Sequence, residues 1–301
     1  MHSFEDYNPL VLLLYNLTVA ALAFFCKSLI IAGLFLLAAM LHFSLRPGKN
    51  KLKSNIFYIS FGIILALINP LFNHMGSSIL FFMNDNPVTL EALIYGIYSA
   101  TMIVAILYLF RVFSQIMTSD RIIYMLGKIS GRAAVMFSMT LRYIPLLRSY
   151  AAESKTAGTA LGLCSEDGIF DKIKSRLNIY SIVMTRSLEN GIITADSMTA
   201  RGYGTGKRSS FSPIRFRISD LLFLLLTLAL SGVIIAGILS DAVSADFYPE
   251  YILPERSLMS VISVISAAVL AFLPLSAELI AKAVINHRIN SRFRSSSKDA
   301  D

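Results

Sequence analysis

The chain has 301 residues, of which 55% are hydrophobic and 15% charged, against roughly 45–50% and about 25% in soluble proteins. With a mean hydropathy of +0.64 it carries more apolar surface than one core of this length hides, which excludes an ordinary water-soluble globule and makes a membrane protein the expectation. The net charge of +8 does not by itself point to nucleic acid, because the cytoplasmic loops of membrane proteins are basic whatever they bind.

A helix needs about 20 apolar residues to cross a hydrocarbon core about 30 Å thick. Six stretches free of Asp, Glu, Lys and Arg meet that length, at 7–26, 28–45, 54–84, 92–110, 221–240 and 257–277. Glu5 and Asp6 stand where a secretory signal carries basic residues, so the first stretch is expected to be a retained span. Only Lys27 separates it from the second. One straight helix over both would be about twice as long as the bilayer core is thick, so a tight hairpin is expected. In the third stretch the span covers 56–72, while 76–83 is too short to cross and either lies at the interface or re-enters the membrane.

Between the fourth and fifth spans, residues 111–218 hold sixteen basic and seven acidic residues. Their only strongly apolar run, 133–141, lies between Arg132 and Arg142 and is too short to cross, so this region is expected at the cytoplasmic surface. With both termini inside, 25 of the 27 Lys and Arg residues fall on the cytoplasmic side and only Lys27 and Arg256 outside, as the positive-inside rule requires. The expected organisation is an all-α membrane protein: transmembrane helices 1–4 over residues 1–110, cytoplasmic coupling helices over 111–218, transmembrane helices 5 and 6 over 219–289, and a basic, disordered tail over 290–301. The two cysteines, Cys26 and Cys164, fall in different compartments and read as free thiols.

Within the cytoplasmic region, Ile173, Leu177, Tyr180, Met184, Leu188, Ile192, Ala195 and Met198 recur at steps of three and four, which predicts a long amphipathic helix over 171–201, closed by Gly202. A second helix is predicted over 138–160, bent at Pro145. Both close on one pattern, Thr159-Ala160-Leu161-Gly162 and Thr199-Ala200-Arg201-Gly202. Small residues let another surface approach, glycine stops the helix, and an arginine offers a planar fork to carboxylates or carbonyls. The alternative is that Arg201 merely complements the helix dipole ahead of a glycine cap.

The segments Leu141-Arg142-Tyr143-Ile144-Pro145-Leu146-Leu147, Arg186-Ser187-Leu188-Glu189 and Ser197-Met198-Thr199-Ala200-Arg201-Gly202-Tyr203-Gly204, in this order, resemble the T component of energy-coupling-factor importers, ABC-type transporters for vitamins and transition-metal ions. The resemblance runs from about residue 121 to 207 and implies a scaffold in the cell membrane, both termini cytoplasmic. Its coupling helices rest on two ABC ATPases, and it grips a small membrane-embedded substrate-binding S component. Ala200, Arg201 and Gly202 match the family's ATPase-docking motif in full. At the other motif, Ala160, Leu161 and Gly162, leucine replaces the arginine. The resemblance makes Arg186, Arg142 and Pro145 supports of the coupling helices, Arg186 bonding either between those helices or to an ATPase, and Leu177, Met184, Leu188 and Ile192 the face toward the S component. It implies a chain with no catalytic residue, metal or cofactor of its own, ATP being bound by the partner ATPases.

Other readings are weaker. Gly202-Tyr203-Gly204-Thr205-Gly206-Lys207 has Arg201 where a phosphate loop needs glycine and Arg208 where it needs Ser or Thr. His2, His42, His74 and His287 are scattered, with no metal-ligand spacing. Glu278 ends a span four residues before Lys282 and reads as a surface ion pair. An intramembrane enzyme would need convergent His, Asp, Glu or Cys within the spans, and a self-sufficient secondary transporter would need internal repeat symmetry. Basic residues on one side need no nucleic acid to explain them.

Overall fold

The computed structural model describes residues 7–46, 51–73, 76–83, 86–162, 168–206, 214, 216–247, 252 and 257–298. They form helices α1 (Pro9–Phe25), α2 (Leu29–Leu45), α3 (Lys51–Phe72), α4 (Leu90–Ile116), α5 (Ser119–Ile129), α6 (Gly131–Ala160), α7 (Ile169–Ala200), α8 (Ile218–Leu239) and α9 (Leu258–Lys298), with strands β1 (Ile79–Met83) and β2 (Asn86–Thr89) before α4. The contacts divide the chain into two compact units, residues 1–118 with 214–301, and residues 119–213.

In the first unit the starts of α1, α4 and α8 are set by short polar side chains. Asn8 accepts a hydrogen bond from the Leu10 amide ahead of Pro9, whose missing N–H costs nothing at that position. Thr89 caps α4 by accepting from the Ala92 amide at 3.3 Å. Asp220 accepts from the Arg217 amide at 2.8 Å and the Asn8 amide at 3.2 Å, so one carboxylate ties the starts of α8 and α1. The hairpin expected at Lys27 is present: α1 ends at Phe25 and α2 begins at Leu29. The turn between them is held by hydrogen bonds to its carbonyls, from the Tyr98 hydroxyl to Cys26 and from the Ala245 amide to Lys27. Cys26 is a buried free thiol, and Cys164 lies outside the described residues.

The core draws Leu12, Ile31, Tyr108, Ile234 and Leu270 from α1, α2, α4, α8 and α9. Helix α3 buries only Pro70 and packs on α4. The outward faces remain apolar, with Phe24, Phe25, Ile30 and Leu67 more than half exposed. A lipid environment accommodates such a surface and water does not. Four helices are long and apolar enough to cross a membrane, Lys51–Phe72, Leu90–Ile116, Ile218–Leu239 and Leu258–Ile280, while Pro9–Phe25 and Leu29–Leu45 are shorter, at 17 residues each.

Two expectations change, and one stretch left open takes a definite form. Residues 79–83, whose course the sequence leaves open, form a strand paired antiparallel with β2, so the regular structure of the described residues is helical apart from this small hairpin and an isolated bridge between Asp246 and Ile252. Ser78 donates its amide to Glu91 at 3.1 Å and so ties the base of the hairpin to the first turn of α4. Helix α4 runs on to Ile116, because Arg111 ends the apolar run without breaking the helix, and the first unit closes at residue 118 instead of 110. The stretch 290–298, expected to be disordered, is helical, since after Pro274 nothing in α9 interrupts the ladder before Lys298.

The second unit is α5, α6 and α7, packed α5 on α6 and α6 on α7. Helix α6 begins at Gly131 behind Ser130, whose hydroxyl accepts from the Ala133 amide, so the apolar run 133–141 belongs to it. It continues unbroken through Pro145.

Candidate docking surface

All thirteen candidate residues lie in α6, α7 or their caps. The two helix ends share one geometry. Leu161 and Arg201 are the terminal cap residues, at φ/ψ of −84°/1° and −82°/9°. Gly162 and Gly202 follow in the left-handed region at φ +69° and +75°, which a side chain would disfavour. Gly162 donates its amide to Thr159 and Gly202 to Thr199, at 3.1 and 2.9 Å. The Thr159 and Thr199 hydroxyls each donate back one turn, to Lys155 and Ala195. At the second end Tyr203 also donates its amide to Met198, completing a Schellman cap. The repeated tetrapeptide is therefore a repeated three-dimensional tip. Ala160 and Ala200 are exposed, as are Leu161 and Arg201, so each tip offers a short, small-residue surface with one long side chain.

Cross-links between the helices fix their direction. The Tyr143 hydroxyl lies 2.7 Å from the Thr194 hydroxyl, Asn190 donates its side-chain amide to the Tyr150 hydroxyl, and Arg186 reaches Glu153 at 3.4 Å. As the α6 number rises the α7 number falls, so the helices are antiparallel and their C-terminal tips point opposite ways, on the order of 30 Å of helix apart. Arg186 also stacks over the Tyr150 ring at 5.4 Å. The guanidinium is half exposed, so this contact positions the helices more than it stabilises them. Arg142 and Pro145 are exposed on α6.

Helix α7 presents two distinct strips. Ser175, Ile179, Val183, Ser187, Asn190, Thr194 and Met198 are the half-buried ones, and they make the strip facing the unit's interior. The apolar strip of Leu177, Met184, Leu188 and Ile192 lies about a third of a turn around and is 45 to 66% exposed. The sequence pattern found the apolar strip and, apart from Met198, missed the packing strip, because there Ile179 and Val183 alternate with small and polar residues. None of the described side chains of α5, α6 or α7 is fully buried.

No family model matches the chain, and no curated protein matches it. Function therefore rests on the geometry of the site and the motifs in it.

Outside this unit, Glu278 is not at the surface where a pair with Lys282 is expected, and the Lys282 side chain lies outside the described residues. Glu278 is 5% exposed, and its Oε2 lies 3.1 Å from Nε2 of His42 on α2. Residues 42 and 278 are far apart in the chain, so no local spacing signals the pair. Beside it is a cavity of about 30 Å³, wide enough for one water, lined by Asn16, His42 and apolar neighbours. No cluster with metal-binding composition occurs among the described residues.

Proposed function

We propose that this chain is the transmembrane coupling subunit of an energy-coupling-factor importer for a vitamin or transition-metal ion. The observation that carries the reading is the pair of congruent, exposed helix tips at Leu161 and Arg201 on antiparallel helices. Two separated tips of one shape suit two related partners, here a pair of ABC ATPases. The absence of any fully buried side chain among the described residues of α5 to α7 supports it, since helices of this length depend on tertiary cover for much of their stability. The apolar strip of Leu177, Met184, Leu188 and Ile192 is the surface for the S component.

ATP binding closes the ATPases, the tips follow the grooves that hold them, and α7 passes the displacement to the S component, tilting it between outward and inward states. Arg201 anchors one ATPase by its fork and by the positive charge it sets over the carbonyl end of α7, while Leu161 makes an apolar contact with the other. In this reading the chain has six spans, cytoplasmic termini and no chemistry of its own. The test is co-purification from detergent-solubilised membranes. Two ATPase subunits and a small, very apolar protein are expected, and a chain that is transport-competent alone overturns the proposal.

The His42–Glu278 pair favours one rival, a proton-coupled transporter working without ATPases. Uptake that survives ATP depletion and collapses with an uncoupler would decide for it.

A further inference from the structure

A cavity of about 400 Å³ opens where the start of α8 meets Tyr7 and the part of α9 around Ser276. Its lining changes character along α8. At one end are Arg217, Ser219 and the first turn of α8, whose amides carry the positive end of the helix dipole. About 10 Å further along the helix the wall is Leu226, with Leu273 of α9 opposite and the buried Phe223 behind. The Asp220 carboxylate also borders the cavity, one oxygen accepting from the Asn8 amide and the other from the Arg217 amide. Arg217 directly precedes the apolar run of α8, and Leu258–Ile280 of α9 is likewise apolar enough to cross a bilayer. The polar end therefore lies where a hydrocarbon core begins, and the apolar end lies within it.

We propose that this cavity binds one anionic phospholipid, its phosphate against Arg217 and the first turn of α8 and an acyl chain along Leu226 and Leu273. A soluble phosphate would use the polar end and leave the apolar wall unfilled, whereas a zwitterionic lipid would gain less from the cation. The site is independent of the coupling role.

The test is native mass spectrometry of the full chain, with whatever subunits co-extract, delipidated and then titrated with phosphatidylglycerol, phosphatidylcholine or inorganic phosphate. Phosphatidylglycerol is expected to be retained about fivefold better than phosphatidylcholine, and millimolar inorganic phosphate is expected not to displace it. Arg217→Gln, at an exposed position, should bring the two lipids to parity, and Leu226→Trp should weaken both by filling the apolar end. Equal retention of the lipids by the native chain, a preference unchanged in Arg217→Gln, or displacement by inorganic phosphate overturns the proposal.

Discussion

Leu161 and Arg201 occupy the same place in the same kind of cap, so their difference is one of chemistry and not of shape. A cationic tip holds its partner partly by Coulomb attraction, which salt screens as the Debye length falls from about 10 Å at 0.1 M to about 3 Å at 1 M. An apolar tip is not weakened in that way. In the proposed complex a 1 M NaCl wash is therefore expected to remove one ATPase and leave the other, read as subunit stoichiometry by mass photometry. Arg201→Glu should give the same loss at low salt and reduce ATP-driven uptake, while the protein still inserts. The His42–Glu278 pair belongs to a different class, because both side chains are only 7% exposed. Removing one partner of a buried pair costs about 3–5 kcal/mol, whereas replacing both with apolar residues is often neutral. His42→Leu should lower the melting temperature in detergent well below that of the His42→Leu, Glu278→Leu double variant.

At the scale of elements, α4 and α7 show how differently a helix is used in the two units. Gly96 of α4 sits so close to α3 that an added Cβ would lie 2.6 Å from the Ala66 carbonyl oxygen, a backbone atom that cannot step aside. Gly33 of α2 has nothing within 4 Å. Gly96→Leu is expected to separate α3 from α4 and destabilise the protein by about 1–3 kcal/mol or more, and Gly33→Ala to leave it unchanged, both read from thermal unfolding in detergent. Helix α7 turns a mixed strip inward, Ile179, Val183 and Met198 among small and polar side chains, and leaves the strip of Leu177, Met184, Leu188 and Ile192 exposed. Leu188→Glu therefore tests the strip without disturbing the helix pair. The Tyr143, Tyr150 and Glu153 contacts should persist, and in the proposed complex the small membrane partner should be lost on purification.

Among the described residues, the first unit holds six helices and a β-hairpin and the second, lying between α4 and α8 in the chain, holds three helices. The second unit has no fully buried side chain among its described residues, so its amides are expected to exchange with solvent faster than those of α4 and α8. Adding the ATPases with non-hydrolysable ATP should protect the two tips, around Thr159–Gly162 and Thr199–Tyr203, before the middle of α7. Hydrogen exchange that is already slow there in the isolated chain would contradict the docking role.

Much was legible in the residues alone, for a definite physical reason. Apolar length, helical periodicity and glycine caps are local quantities, so the apolar helices, the turn at Lys27, the long α7 and both tips could be read without coordinates. The contacts that join distant segments could not. Glu278 is buried against His42, which is far off in the chain, the packing strip of α7 mixes Ile179, Val183 and Met198 with small and polar side chains, and residues 79–83 became a strand because 86–89 folded back to pair with them. Each depends on which surface arrives opposite, and a one-dimensional pattern carries no record of that.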